Sequence, residues 1–175
     1  PHVIAAAQEA GQAILDIYHR KETLEVQTKA DKTPLTQADL AAHHAIKLQL
    51  EQLTPDIPIL SEEAAKIAFN ERKQWQQYWL IDPLDGTKEF IARTDEFTVN
   101  IALIEQHKPV LGVIDCPVQK QTYYAAVCHG AYKIDDSGQT HPIKTRIFQT
   151  PMTITLSRRH GQERLKHYLK QLKQH

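Results

Sequence analysis

Apolar residues recur at helical spacing at the start of the chain. The residues that share this spacing are Val3, Ala7, Ala10, Ile14 and Ile17. They lie on one side of a repeat of about 3.6 residues, as in an amphipathic helix. The pattern therefore predicts a helix from about Val3 to Tyr18.

A second amphipathic pattern begins at Thr36. Thr36 and Asp39 are spaced as in a capping box, in which each side chain bonds the backbone amide of the other residue. The apolar positions that follow are Leu40, Ile46, Leu50 and Leu53, and Pro55 and Pro58 end the pattern. We therefore predict a second helix, preceded by an exposed loop over residues 29–34 and followed by a short strand at Ile57–Leu60.

The second half of the chain is rich in β-branched and aromatic residues. Strands are predicted over residues 97–104, 110–114, 122–127, 131–134 and 154–157, before a final helix from Glu163 to Gln174. Residues 106–109 and 135–138 have turn composition, which favours antiparallel connections. Helices come first and strands follow, so the order indicates an α+β fold rather than a series of βαβ units.

The most informative stretch is Asp82-Pro83-Leu84-Asp85-Gly86-Thr87. The apolar residues 78–81 predict a strand that stops at Asp82, and Pro83 lacks the amide needed to continue a strand ladder. Gly86 allows a sharp bend, and Thr87 is a good N-cap for a helix beginning at Lys88. The sequence therefore predicts a strand, a tight turn and a helix start that carry two carboxylates.

These residue types suit a divalent cation with a phosphate beside it. Asp82 and Asp85 supply hard oxygen ligands, and the carbonyl of Leu84 would be a third. Backbone amides at a helix start favour anions. Asp39 and the pair Glu62-Glu63 also follow strands or begin helices, where ligands often gather. Two cations about 3.5–4 Å apart would polarise a phosphoryl group and activate water.

Each acidic feature also has an ordinary structural interpretation. Asp39 alone is more often a first-turn acid that suits the helix dipole. Glu62-Glu63 alone is usually a solvated helix start, and residues 82–87 alone would be a turn and cap. The six-residue string is much rarer than its parts, and its functional interpretation strengthens that of the other acids.

The basic and histidine residues add little. His43 and His44 are adjacent, so they point about 100° apart on a helix and cannot share a metal. All ten histidines are interpreted as surface or core residues. The cluster Arg158-Arg159-His160 has the charge to bind a phosphate. The preferred interpretation is that it is a solvent-exposed cluster at a helix start.

The composition excludes several classes of partner. The chain has 21 Lys plus Arg and 21 Asp plus Glu, so no net field attracts nucleic acid or a membrane surface. No apolar run of about 18 residues predicts a membrane span. The two cysteines, Cys116 and Cys128, form no metal or redox spacing, and a reducing cytoplasm is the default.

Five segments together carry a resemblance to a known family. They are residues 34–39 (PLTQAD), 60–63 (LSEE), 79–90 (WLIDPLDGTKEF), 97–103 (FTVNIAL) and 109–114 (PVLGVI). Their order resembles the inositol monophosphatase superfamily of Mg²⁺-dependent, lithium-sensitive phosphatases, over essentially the whole chain. Lys88-Glu89-Phe90, residues 28–31 and the LSEE segment are more similar to its CysQ-type 3′(2′),5′-bisphosphate nucleotidase branch than to inositol monophosphatases.

The resemblance implies a reaction and a set of metal ligands. The 3′-phosphate of adenosine 3′,5′-bisphosphate, a by-product of sulfate activation, would be removed to give AMP and phosphate. Glu62, Asp82 and the Leu84 carbonyl would hold one Mg²⁺, and Asp82 with Asp85 a second. Glu63 would contact these ligands without binding the metal itself.

The resemblance also implies how water and phosphate are handled. Asp39 and Thr87 would orient and deprotonate the attacking water, and the amides of Gly86 and Thr87 would bind the scissile phosphate. The substrate would contact Glu62, Leu84, Asp85, Gly86 and Thr87.

The implied fold is a layered α/β/α/β/α sandwich. Residues 1–175 would form a single domain that supplies its two N-terminal helices and first antiparallel sheet. No aspartate follows Asp136, so the Trp-Asp motif of the family is absent. We therefore expect the chain to be the N-terminal portion of a longer phosphatase. An uncovered sheet face would favour a homo-oligomer, and peripheral attachment to the inner membrane is an alternative to a freely cytoplasmic location.

Two other functions stay open. The chain would alternatively belong to an inositol-phosphate or sugar-phosphate phosphatase. It would otherwise be a non-catalytic, truncated paralogue that binds metal, phosphate or a partner.

Overall fold

A computed structural model describes residues 1–20, 26–28, 34–64, 67–147, 149–151, 153 and 168–170. The chain divides into two compact units, Pro1–Lys144 and Thr145–His175, and the first contains every element labelled below. The single domain over residues 1–175 stays a prediction. The strand at residues 154–157, the basic cluster at 158–160 and, apart from residues 168–170, the final helix lie outside the described residues.

A mixed sheet forms the centre of the first unit. Its seven strands, in spatial order, are β3 (Ile59–Ser61), β4 (Gln77–Asp85), β5 (Thr98–Glu105), β6 (Lys108–Cys116), β7 (Gln121–Ala126), β8 (Gly130–Ile134) and β9 (Thr140–Ile143). β3 pairs parallel with β4, and each later pair is antiparallel. This order confirms the α+β class and the antiparallel connections.

Two long helices pack against the sheet. They are α1 (His2–Tyr18) and α2 (Gln37–Leu53). All five apolar residues that predicted α1 are buried. The shared core includes Ile14 of α1, Ile46 of α2, and Ile81 and Ile101 of the sheet. Burying apolar side chains of this size stabilises the folded state by roughly 1.5–3 kcal/mol each.

The core face of α2 differs from the prediction at two positions. Leu40 is 37% exposed and Leu53 is 40% exposed, so neither belongs to the core. Ala38 and Ala42 are fully buried instead, along with Ile46 and Leu50. The predicted stripe was wrong there because small alanines, rather than leucines, allow the first turns of α2 to lie close to their neighbours.

The smaller elements were not predicted. β1 (Val26–Thr28) pairs antiparallel with β2 (Pro34–Thr36) on either side of the expected loop. α3 (Phe69–Arg72) is a single turn, too short to show a periodic pattern. β9 is exposed along its whole length and contains Pro142, as suits an edge strand without alternating burial.

β4 continues past Asp82, where the sequence predicted its end. Asp82 pairs with Asn100, and Asp85 pairs with Thr98. β4 therefore advances by one residue more than β5 over this stretch, which is a β-bulge. Pro83 is tolerated inside the strand because an unpaired bulge position needs no amide donor.

The helix after the bulge also begins differently. α4 (Thr87–Ile91) has Gly86, with φ 96°, at its N-cap, and glycine has no side chain to cap the helix. A Cβ at Gly86 would lie 2.7 Å from the carbonyl oxygen of Glu96, so the chain approaches too closely for a side chain. The N-cap prediction for Thr87 and the start at Lys88 were therefore wrong, whereas the predicted bend at Gly86 is confirmed. None of the described helices is long and apolar enough to cross a membrane.

Candidate active site

The carboxylates of the central motif lie on the sheet face opposite the long helices. Side chains alternate between faces along a strand, so Asp82 shares the face of Leu80 while Trp79 and Ile81 enter the core. A cavity of about 870 Å³ opens on that face. The polar side chains that line it are Ser61, Glu62, Arg72, Asp82, Asp85, Thr98 and Asn100. The fold therefore brings Glu62, Asp82 and Asp85 to one cavity.

Asp82 is in an unfavourable environment for a negative charge. Its Oδ1 atom is buried and accepts no hydrogen bond from any described residue. Burial, followed by the charges of Glu62, Asp85 and Glu63, raises the pKa of Asp82 to about 7. A hydrogen bond from the Leu84 amide acts in the opposite direction. A cation bound at Oδ1 would offset both the burial and the repulsion.

Asp39 joins the start of α2 to the turn before α4. Its Oδ2 atom accepts hydrogen bonds from the Thr36 amide at 2.8 Å and the Thr36 hydroxyl at 2.6 Å. This arrangement confirms the predicted capping box. The hydroxyl of Thr87 lies 3.2 Å from Asp39 Oδ1 and 3.2 Å from the Leu84 carbonyl oxygen, both of which are acceptors. Asp39 and Thr87 are therefore in contact.

Asp85 is oriented by a strand neighbour. The Asn100 side chain donates to Asp85 Oδ2 at 3.2 Å. The Thr98 hydroxyl donates to Asn100 Oδ1 at 3.3 Å, which fixes the orientation of that amide. Asp85 is exposed and lines the cavity.

Glu62 lies in a turn rather than at the helix start considered from sequence. The turn follows β3, and the Glu62 amide donates to the Ile81 carbonyl at 3.2 Å. Ser61 Oγ accepts from the Glu63 amide at 3.2 Å and lies 2.8 Å from His43 Nδ1. Desolvation, with smaller contributions from His44 and Lys47, lowers the pKa of His43.

The donor set is suited to a hard cation that keeps water ligands. No three His, Cys, Asp or Glu side chains among the described residues form a ready-made metal cluster. The Leu84 carbonyl and water would therefore have to complete any coordination by Asp82 and its neighbours. Mg²⁺ commonly binds through one or two carboxylates and retains several waters. The Oδ1 atom of Asp82, which accepts no hydrogen bond within the described part of the chain, is the observation that fits such an ion.

Sequence reasoning missed five polar residues that contact or line the site. They are His43, Ser61, Arg72, Thr98 and Asn100. His43 is four residues after Asp39 on the same helix, a spacing that signals a shared face. Asn100 alternates with Thr98 on β5, but its position opposite Asp82 depends on strand register and has no local signal.

Comparisons with known proteins agree with this architecture. The model of the inositol monophosphatase family matches residues 2–175. The 3′(2′),5′-bisphosphate nucleotidase CysQ of Salmonella typhimurium strain LT2 is 49% identical over 99% of this chain and 69% of the relative. The protein of the same name from Escherichia coli strain K12 is 46% identical, with the same coverage.

Solved structures show the same fold. The crystal structure of CysQ from Bacteroides thetaiotaomicron has a TM-score of 0.74 and 36% identity, covering 99% of this chain and 67% of that one. The extragenic suppressor protein SuhB of Bartonella henselae has a TM-score of 0.67 and 32% identity, covering 75% of this chain and 50% of that one. The chain belongs to the inositol monophosphatase family.

Proposed function

We propose that the chain is the N-terminal part of the catalytic domain of a Mg²⁺-dependent 3′(2′),5′-bisphosphate nucleotidase. It would remove the 3′-phosphate of adenosine 3′,5′-bisphosphate to give AMP and phosphate. The observation that carries the proposal is the buried Oδ1 of Asp82, which has no hydrogen-bond partner among the described residues and belongs to the same cavity as Glu62 and Asp85. The names of the two bacterial relatives, of which the chain spans 69%, support the choice of substrate.

The proposed metal ligands are the residues around the bulge in β4 and the turn after β3. Glu62, Asp82 and the Leu84 carbonyl would hold a first Mg²⁺, and Asp82 with Asp85 would hold a second. When bound, Mg²⁺ polarises a phosphoryl oxygen and lowers the pKa of a coordinated water. Asn100 would keep Asp85 Oδ2 occupied, so that Oδ1 is the atom that faces the ion.

Asp39 and Thr87 would handle the proton of the attacking water. The Thr87 hydroxyl can accept a hydrogen bond from water while it donates its own proton to Asp39 Oδ1, 3.2 Å away. Thr36 already occupies Asp39 Oδ2 through two hydrogen bonds, so Oδ1 is the acceptor directed at the turn. The complete capping box also prevents Asp39 from moving during this transfer.

The substrate phosphate would bind at the turn between β4 and α4. The amides of Gly86 and Thr87 would donate to its oxygens, because backbone amides at a helix start favour anions. Glu62, Leu84 and Asp85 would contact the phosphate through the metal ions.

The proposal is tested by phosphate release with Mg²⁺ from adenosine 3′,5′-bisphosphate and from inositol 1-phosphate. We expect selective hydrolysis of the bisphosphate by the full gene product and its loss in Asp85→Asn. Asp136→Asn, which changes an exposed carboxylate between β8 and β9, should keep activity. Preference for inositol 1-phosphate would favour the alternative phosphatase. Hydrolysis of neither substrate would favour the non-catalytic paralogue.

We further propose a cytoplasmic location. The two cysteines are free thiols, with Cys128 exposed and Cys116 half-buried. Free thiols persist in a reducing compartment, which supports this assignment. Fractionation of cells, with a membrane-wash step, would separate it from peripheral attachment to a membrane.

A further inference from the structure

One face of α2 contacts both loops that carry the proposed metal ligands. Asp39 and His43 are four residues apart, and residues at this spacing share a helix face. Asp39 Oδ1 accepts from Thr87, in the turn after Asp82 and Asp85. His43 Nδ1 lies 2.8 Å from Ser61 Oγ, next to Glu62. α2 therefore sets the distance between two loops that are not neighbours in sequence.

The turn around Glu62 is held on two sides. Its own amide donates to the Ile81 carbonyl at 3.2 Å, which fixes its backbone beside Asp82. On the other side, the Ser61 Oγ atom accepts a hydrogen bond from the Glu63 amide at 3.2 Å. This bond joins the residues immediately before and after Glu62. The backbone of Glu62 is thus fixed by β4 and by the Ser61 hydroxyl together.

The contact between His43 and Ser61 is protected from water. His43 is 8% exposed and Ser61 is 7% exposed. A buried polar group that loses its partner is destabilised, since no water replaces the missing hydrogen bond. Removal of the imidazole would therefore release the Ser61 hydroxyl to rotate away from the Glu63 amide, and the turn would lose its second support.

We propose that His43 is a positioning residue that acts through Ser61 to hold Glu62 in place for a divalent cation. The inference rests on the proposed Mg²⁺ site, which it deepens by adding a residue that touches neither metal nor substrate. Some residues hydrogen-bond the metal ligands without binding the metal themselves. Mutation of such residues changes metal affinity by about 10- to 100-fold. His43 should act on Mg²⁺ affinity more than on the reaction of the loaded enzyme.

The test compares His43→Leu with His43→Asn in the full gene product. Leu and Asn have the same branching, but only Asn keeps a hydrogen-bonding atom near the position of Nδ1. In calorimetric titration with Mg²⁺, we expect the Kd to rise about 10-fold in His43→Leu and to stay within about 2-fold in His43→Asn. Ser61→Ala should match His43→Leu, and the double variant should be no weaker than either.

A core variant separates positioning from general destabilisation. Ile46→Val removes one methylene group from a fully buried position of the same helix, and it should lower Tm without changing the Kd for Mg²⁺. Two results would overturn the positioning role. One is an equal Kd for Mg²⁺ in His43→Leu and His43→Asn. The other is a Kd for Mg²⁺ that rises in Ile46→Val as its Tm falls. If Mg²⁺ binds normally to both the wild type and His43→Leu, the positioning role of His43 is overturned but the proposed Mg²⁺ site stands. A wild type that binds no Mg²⁺ would overturn the proposed site as well.

Discussion

The hydroxyl of Thr87 lies 3.2 Å from Asp39 Oδ1, although 48 residues separate the two in sequence. Asp39 is fully buried at the first turn of α2, and Thr87 is the first residue of α4. The contact therefore joins the start of α2 to the start of α4.

Thr87→Val should remove proton transfer while preserving shape. Valine replaces the hydroxyl with a methyl group, so no atom can pass a proton to Asp39. We expect kcat at saturating Mg²⁺ to fall by about 10²-fold or more, the range typical of lost acid–base catalysis. Thr87→Ser keeps the hydroxyl and should remain within about tenfold of the wild type. Equal rates in the Val and Ser variants would exclude the relay.

Gly86→Ala should destabilise the fold more than Gly138→Ala. Both glycines have positive φ, 96° and 81°, but a Cβ at Gly138 meets no atom of the described residues within 4 Å. Gly138→Ala therefore measures backbone strain alone, about 1 kcal/mol. At Gly86 the clash with the Glu96 carbonyl should bring the loss to about 2–4 kcal/mol in urea unfolding. Similar losses in both variants would show that the turn can widen.

Asp82→Asn should stabilise the metal-free protein. At pH 8 the wild-type carboxylate is ionised, buried and repelled by its acidic neighbours, and the amide removes that charge. We expect a gain on the order of 1–2 kcal/mol, measured by thermal unfolding in the presence of EDTA.

The same variant should lose its response to Mg²⁺. The wild type should melt at higher temperature when Mg²⁺ is added, since an ion that binds only the folded state stabilises it. Asp82→Asn should show no such shift, while the control Asp136→Asn should show all of it. A Mg²⁺-dependent shift in Asp82→Asn would remove Asp82 from the ligand set.

Asp115 provides a pH-dependent test away from the site. Its Oδ1 accepts from the Thr122 hydroxyl at 2.7 Å, and its Oδ2 lies so close to α1 that a Cβ at Gly11 would be 2.5 Å away. Burial raises the pKa of Asp115 to about 6, with the Thr122 hydrogen bond acting against the shift.

The sign of the effect follows from proton binding. Between about pH 4 and pH 6 the folded state holds a proton that the unfolded state releases, so rising pH lowers the contribution of this group to stability. Above pH 6 the ionised, buried carboxylate is a constant penalty. Asp115→Asn should therefore gain about 1–3 kcal/mol at pH 8 and much less at pH 4.5. An equal effect at both pH values would contradict the assignment.

Local patterns were sufficient for the long elements. α1 was predicted because its apolar residues repeat along 17 residues, and the start of α2 because the Thr36–Asp39 capping box forms within one turn. The strands from β5 to β8 were predicted from β-branched runs and intervening turns. These features depend on residues close together in the chain, so their signal is present in the sequence.

The candidate site was predicted as a set of residue types, but only tertiary structure decided their arrangement. The bulge at Pro83 depends on the register between β4 and β5, and the Gly86 cap depends on the approach of Glu96. The link from His43 to Ser61 depends on where α2 packs. The sequence determined which groups were available for chemistry, because composition and short motifs are local. Only packing between distant segments decided which of these groups are buried, paired or left without a partner.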